Sequence, residues 1–398
     1  MTYREVATYA RRTAGWGVAA LGLTIPISTA GDSILLALIL IAAAFAFSLV
    51  YAEARSLIVR VPPIAAAVAL FAWLLIGCLY SSVPLREAFS AVAKYSDLAL
   101  IPLLAWAAAD ARIRRHALAC FAIAVLLNLY VSYSAAAGLP GMRSAVYPIG
   151  FKASVTHSLI VSLGAFMFLL HARETRSTKW RMTLWVLAAL CAHNVLFIVI
   201  GRTGYVVLGL LLAYYAMTFF RGWRGPAVAS ATVLTLACAA YVSSENLQKR
   251  VDEIGSDMSQ WRPGARDETS VGQRLEYYRT TLEIIRDHPL IGVGTGAFAS
   301  AYAEKVHDTG ARKTVNPHTD FLLIGAQLGI PGIVLRHAAR LESRLHRDLA
   351  RGLVITMAIG GLFNSLLLDH TEGLLFAWLT AVLYAGYNRA HGPTEERA

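Results

Sequence analysis

Charge is scarce in this 398-residue chain: Asp, Glu, Lys and Arg make up 15% of it, against about a quarter in soluble globular domains. That shortfall excludes a soluble domain, a disordered chain and a coiled coil. Cysteine is sparse too. Cys78, Cys120, Cys191 and Cys238 all lie in apolar runs and form no Cys-x-x-Cys pair, so neither a metal cage nor a disulfide framework is indicated. Internal repeats and low-complexity tracts are missing, as is any Asp-x-Asp pair of the kind that holds a sugar nucleotide through a metal.

What is abundant is apolar surface. Hydrophobic residues make up 57% of the chain, and the mean hydropathy is +0.53. A bilayer core needs ~20 mostly apolar residues per helix, and backbone polar groups in lipid must be satisfied internally. Twelve stretches qualify: residues 14–30, 33–52, 62–80, 98–109, 117–137, 153–170, 182–200, 203–220, 226–243, 321–335, 352–368 and 374–387. The fourth extends back through residues 91–95, and Pro331 should kink the tenth. The first runs straight into the second without a cleavage-type site, so it reads as a span and not as a signal peptide. The fold class is therefore all-α: a polytopic membrane protein of about twelve helices.

Basic residues set the orientation. With the amino terminus inside, the inner segments hold 21 Lys and Arg and the short outer loops five. That asymmetry predicts both termini in the cytoplasm and accounts for the net charge of +11, leaving no cationic surplus that calls for nucleic acid. One outer segment is long. Residues 244–320 contain no spanning run and carry ten basic against twelve acidic residues. The chain thus divides into spans one to nine (1–243), a mostly helical outer domain (244–320), and three further spans with a tail (321–398). Within the outer domain, residues 276–286 read as a helix with Tyr277, Leu282 and Ile285 near one face, ended by His288-Pro289.

Charges at a membrane mouth are expensive and therefore functional candidates. Arg202, in Gly201-Arg202-Thr203, occupies an outer turn between two apolar spans. Its planar fork suits a phosphate or carboxylate, although a snorkelling arginine would look the same. Arg274 opens the outer-domain helix, with Arg279 a weaker candidate beside it; an exposed helix-surface charge is the alternative for both. His318, in Asn316-Pro317-His318-Thr319-Asp320, stands where the tenth span begins, as a base, acid or charge stabiliser. His193 reads as a satisfied core histidine, and His157 receives no role. Asp369 and Glu372 form the last outer turn, placed to orient an arginine or histidine or simply solvated. Residues 289–296, Pro-Leu-Ile-Gly-Val-Gly-Thr-Gly, resemble a phosphate-cradling loop but lack its strand–turn–helix context, so their glycines read as turn formers.

In order, side and spacing these motifs resemble the O-antigen ligase family, which shares its carboxy-terminal signature with O-antigen polymerases. The pieces are Gly201-Arg202-Thr203, then Arg274 followed by Asp287-His288-Pro289-Leu290-Ile291-Gly292-Val293-Gly294-Thr295-Gly296, then Pro317-His318-Thr319 followed by Leu328-Gly329-Ile330-Pro331-Gly332. The resemblance implies a GT-C-like glycosyltransferase in the inner membrane of a Gram-negative cell, with its site facing the periplasm. It would need no metal or other cofactor and would invert the anomeric centre. The donor would be a polysaccharide on undecaprenyl pyrophosphate and the acceptor a sugar hydroxyl of lipid A–core. In that scheme Arg202 and Arg274 take the pyrophosphate, His318 is the general base, and Asp369 orients one of these groups, with Arg279 in support. An O-antigen polymerase and a protein O-oligosaccharyltransferase share the donor and differ in acceptor. A twelve-helix lipid or solute transporter is the rival of a different class, but the two halves of the chain show no correspondence. One departure stands out: Leu335 meets Arg336-His337-Ala338-Ala339-Arg340 at once, where family members usually stay apolar. Either the span is short, or a stretch is absent. The basic segment 336–351 suits an amphipathic surface helix or a solvated linker helix.

Overall fold

The structure, a computed structural model, describes residues 2–139, 150–199, 201–220, 222–243, 245–265, 269–329 and 343–386. The described residues form helices and turns. Helix α1 (Tyr3–Thr24) opens on a capping box between Thr2 and Glu5. It packs on α2 (Thr29–Phe45) and on α7 (Ala111–Ala136). The α1–α7 crossing is close, because Gly22 lies against the Ala117 carbonyl and the Trp378 ring.

The second stretch departs from a straight span. It breaks at Ala46, where α2 gives way to α3 (Phe47–Arg60) at 105°. Ala46 has ψ 22° and its N–H returns to the Ala43 carbonyl, closing a tight last turn. The turn directs α3 so that Glu53 meets Arg11 of α1. Helix α4 (Pro62–Gly77) starts with proline at its first position, where no N–H is needed. The backward extension of the fourth stretch exists as α5 (Leu85–Ala93), which bends by 42° into α6 (Ser96–Ala107).

Helix α8 (Ser154–Glu174) is buried on all sides and forms the centre of the bundle. Around it lie α9 (Thr178–His193), extended by a π turn at Asn194–Ile198, then α10 (Arg202–Phe219) and α16 (Arg344–Phe363). A helix apolar on every face belongs in such a core. Helix α11 (Arg224–Ser243) packs on α10, and α17 (His370–Tyr384) packs on α6. Trp378 of α17 is fully buried, its indole N–H donating to the Val18 carbonyl at 2.8 Å. By length and composition α7, α8 and α9 with its π turn can each cross a membrane, as can the two bent pairs if each counts as one span.

The long segment 244–320 is mostly helical among its described residues, as expected: α12 (Glu245–Gln260), α13 (Ser270–Asp287) and α14 (Phe298–Lys305). Tyr277, Ile284, Ile285, Phe298 and Tyr302 form a second hydrophobic cluster that continues onto Leu323 and Ala326 of α15 (Asp320–Leu328). Leu282 is 54% exposed, contrary to expectation. Five residues at 3.6 per turn set it about 140° from Tyr277, and Thr281 and Ile284 take the buried face instead. Pro331, Leu335 and most of the basic segment after it lie outside the described residues. The described part, from Arg344 onward, continues into α16 as one helix.

Candidate functional site

Helix α10 begins at Arg202 behind Gly201, which offers no side-chain cap. The first-turn N–H groups of a helix lack intrahelical acceptors, and its positive dipole end favours an anion. The Arg202 side chain itself lies outside the description. Next to it, Thr203 Oγ1 accepts from Asn364 Nδ2 at 3.0 Å, which fixes this helix end against the turn after α16.

That turn is held to the segment around His318 by a set of hydrogen bonds. Ser365 Oγ donates to Asn316 Oδ1 at 2.7 Å, and the same oxygen accepts the His318 N–H at 2.8 Å. Thr319 Oγ1 donates to the Gly361 carbonyl at 2.9 Å. Buried Asp320 accepts the N–H groups of Leu366 and Leu367 at 3.0 and 3.1 Å. Within this clasp His318 has φ +59°, the sole positive φ at a non-glycine position among the described residues. An L-residue holds that conformation only where its surroundings enforce it. The result directs the imidazole to the mouth of the bundle, beside the Tyr277 ring at 6.1 Å between centroids.

The clasp also places Asp369, which follows the 3₁₀ turn Leu366–Leu368 at the N-cap of α17. Its carboxylate makes no cap hydrogen bond and lies within electrostatic reach of Lys94 and His318. Partial burial pushes the Asp369 carboxyl above the usual carboxylate range, with Lys94 and then His318 pulling it back. Arg274 and Asp369 both lie within electrostatic reach of His318. Desolvation, then the Arg274 guanidinium, hold its imidazole below the ordinary histidine value, with Asp369 opposing. A ring so held is neutral at neutral pH and free to accept a proton. Arg274, on the first turns of α13 and half-buried, has no carboxylate within ion-pair distance among the described residues. Arg279 differs: Glu276 and Glu283 hold it at 2.7 and 2.6 Å, so its guanidinium is spent within α13.

The turn carrying Asp369 is braced from behind. His370 Nδ1 lies 3.7 Å from Asp97 Oδ2, Lys152 Nζ donates to Thr371 Oγ1 at 3.1 Å, and Thr156 Oγ1 donates to Glu372 Oε1 at 2.5 Å. Glu372 is therefore a buried, hydrogen-bonded residue and not a solvated one. Sequence reading missed Asn364, Ser365, Asp97 and Lys94, and took Asp320 only for a helix-start residue. Their partners lie 45 or more residues away, and no local pattern signals them.

The glycine loop is a strap and not a phosphate cradle. Gly292, Gly294 and Gly296 have φ of 68°, 93° and 84°. The N–H groups of Val293 and Gly294 bond the Ala326 and Gln327 carbonyls, Thr295 N–H bonds the Gly77 carbonyl, and Gly296 N–H bonds Gln327 Oε1. With Gly292 N–H on the His288 carbonyl, the N–H groups from Gly292 to Gly296 are all taken within the protein. His157 is buried between Asn194 Oδ1 and the Gly150 N–H. His193 is satisfied by the Tyr133 hydroxyl at 2.9 Å but is exposed, because the face of α9 it shares looks outward.

The start of α10, the clasp around His318 and the Asp369 turn thus come together at one end of a helical bundle whose apolar helices suggest a membrane protein. Residues 186–336 match the family model described as O-antigen ligase. That match is the carboxy-terminal signature carried by the motifs, and it takes in Arg202, Arg274 and His318. No curated protein matches the chain.

Proposed function

We propose that this protein transfers a polysaccharide from undecaprenyl pyrophosphate to a sugar hydroxyl of lipid A–core, on the periplasmic face of the inner membrane. The reading is supported by His318, held at a positive φ and lowered in pKa within electrostatic reach of both Arg274 and Asp369. The acceptor oxygen attacks the anomeric carbon from the face opposite the pyrophosphate, and its proton passes to the imidazole of His318. The carbon–oxygen bond to the pyrophosphate breaks, and the leaving group departs with the electron pair, inverting the centre. Arg274, Arg202 and the first turn of α10 offset the charge that develops there. Asp369 orients His318 and stabilises the imidazolium that forms. Holding both lipids at one mouth supplies the proximity the step requires.

The test is reconstitution with a polyprenyl-pyrophosphate glycan and, separately, lipid A–core, a second donor lipid and a peptide as acceptors. Transfer to lipid A–core alone is expected. Transfer to the second donor chain or to the peptide would make the protein a polymerase or an oligosaccharyltransferase.

A further inference from the structure

At the opposite end of the bundle lies a second cationic site that the transfer reaction does not use. Helix α1 carries Thr24 toward Asp32, which shares the electrostatic neighbourhood of His370 beside Asp369. Arg11 and Arg12, near the start of the same helix, therefore sit far from His318. Helix α7 runs alongside α1, with Asn128 bonding the Pro26 carbonyl at one end and Arg112 at the other. Between these distal ends is a cleft of about 440 Å³ lined by Thr8, Arg11, Arg12, Trp16, Asp110 and Arg112, with Ala107 and Ile113.

The cleft is built from fixed parts. Arg11 is clamped by Glu53 at 2.8 and 2.5 Å, donates to the Trp106 carbonyl, and lies over the Trp106 ring. Asp110 caps α7 through the Arg112 N–H at 2.8 Å. Against that frame Arg12 and Arg112 stand exposed, and neither has a carboxylate within ion-pair distance among the described residues. The lining holds one acid, Asp110, against three arginines, of which Arg11 is held by Glu53. Trp16, 46% exposed and edge-on to His116, supplies an amphipathic ring of the kind that settles at a membrane interface. Two forks suited to phosphate oxygens, next to an apolar wall, call for an anion that carries a hydrocarbon body.

We propose that this cleft binds the phosphate headgroup of an anionic membrane lipid, with Arg12 and Arg112 on the phosphate and Trp16 and Ile113 along the glycerol and upper chain. The site is independent of the transfer reaction. Its test is native mass spectrometry of the full-length protein in micelles titrated with phosphatidylglycerol, phosphatidylcholine or inorganic phosphate. Retention of phosphatidylglycerol over phosphatidylcholine is expected, weakened about tenfold or more in an Arg12→Gln/Arg112→Gln double variant. An Arg12→Lys/Arg112→Lys variant should recover part of it, since charge returns without the fork. Equal retention by wild type and double variant, or by the two lipids, would overturn the proposal. So would inorganic phosphate that displaces the lipid at equal concentration, which would make the cleft a free-anion site. If the double variant does not fold, the single Arg12→Gln variant gives the same comparison.

Discussion

At His318 a strained backbone and a titrating ring are held by the same neighbours, and two substitutions separate their electrostatic effects. A base must be unprotonated, so transfer should be constant above neutrality and fall with a one-proton slope below the ordinary histidine value. The lowered pKa of the ring sets that window. Replacing Arg274 by Gln removes a positive neighbour and raises the His318 pKa, so the residual rate should begin to fall at a higher pH. Asp369→Asn removes the opposing carboxylate and should move the same limb to lower pH. Limbs that stay fixed in kcat–pH profiles of both variants would show that another group is titrating. Arg274→Lys should also remain impaired, because an ammonium cannot reproduce the bidentate fork. Arg274, His318 and Asp369 stood out in the sequence because each lies in a polar break between apolar runs, and the electrostatics of the fold couple His318 to the other two. Arg279 looked similar and is not, since its paired acids at i−3 and i+4 also satisfy it.

The elements around the site are joined by contacts between carbonyls and polar side chains that are distant in sequence. Asp320 is the centre of one such joint, and Asp320→Ala leaves the Leu366 and Leu367 N–H groups without acceptors. An unsatisfied buried donor costs about 1–3 kcal/mol. A lower thermal midpoint in detergent, with a drop in kcat as Asp369 loses its place, is the expected result. The glycine strap is the other joint. At Gly292 a side chain would meet the backbone of Ala326 and Gln327, and the positive φ disfavours any L-residue. Gly292→Val should destabilise the protein in a thermal melt, with wild-type stability showing that the strap carries no load. The helical stretches themselves were readable from hydropathy, and the α13 stop from His288-Pro289. The break at Ala46 was not, because an alanine between phenylalanines carries no proline or glycine signal and the bend is fixed by tertiary packing.

The whole molecule separates its chemistry by end. One end holds His318, Arg274 and Asp369. The other end holds the arginines of the distal cleft and a buried pair, Arg173 and Asp348, at 2.6 Å, supported by the Tyr214 hydroxyl. Breaking a buried pair by removing one partner costs about 3–5 kcal/mol, since the other charge is stranded. Asp348→Ala should therefore lower stability far more than a surface substitution, as read in a thermal melt.

In the proposed reaction one neutral histidine takes the acceptor proton at an arginine-lined mouth. Its most direct measurement is single-turnover transfer from a polyprenyl-pyrophosphate glycan to lipid A–core by reconstituted wild-type and His318→Ala proteins, with donor binding measured in parallel. A loss of about 10²–10⁴-fold in the transfer rate with donor affinity retained is expected for removal of a general base. Transfer by the His318→Ala protein at the wild-type rate would contradict the account.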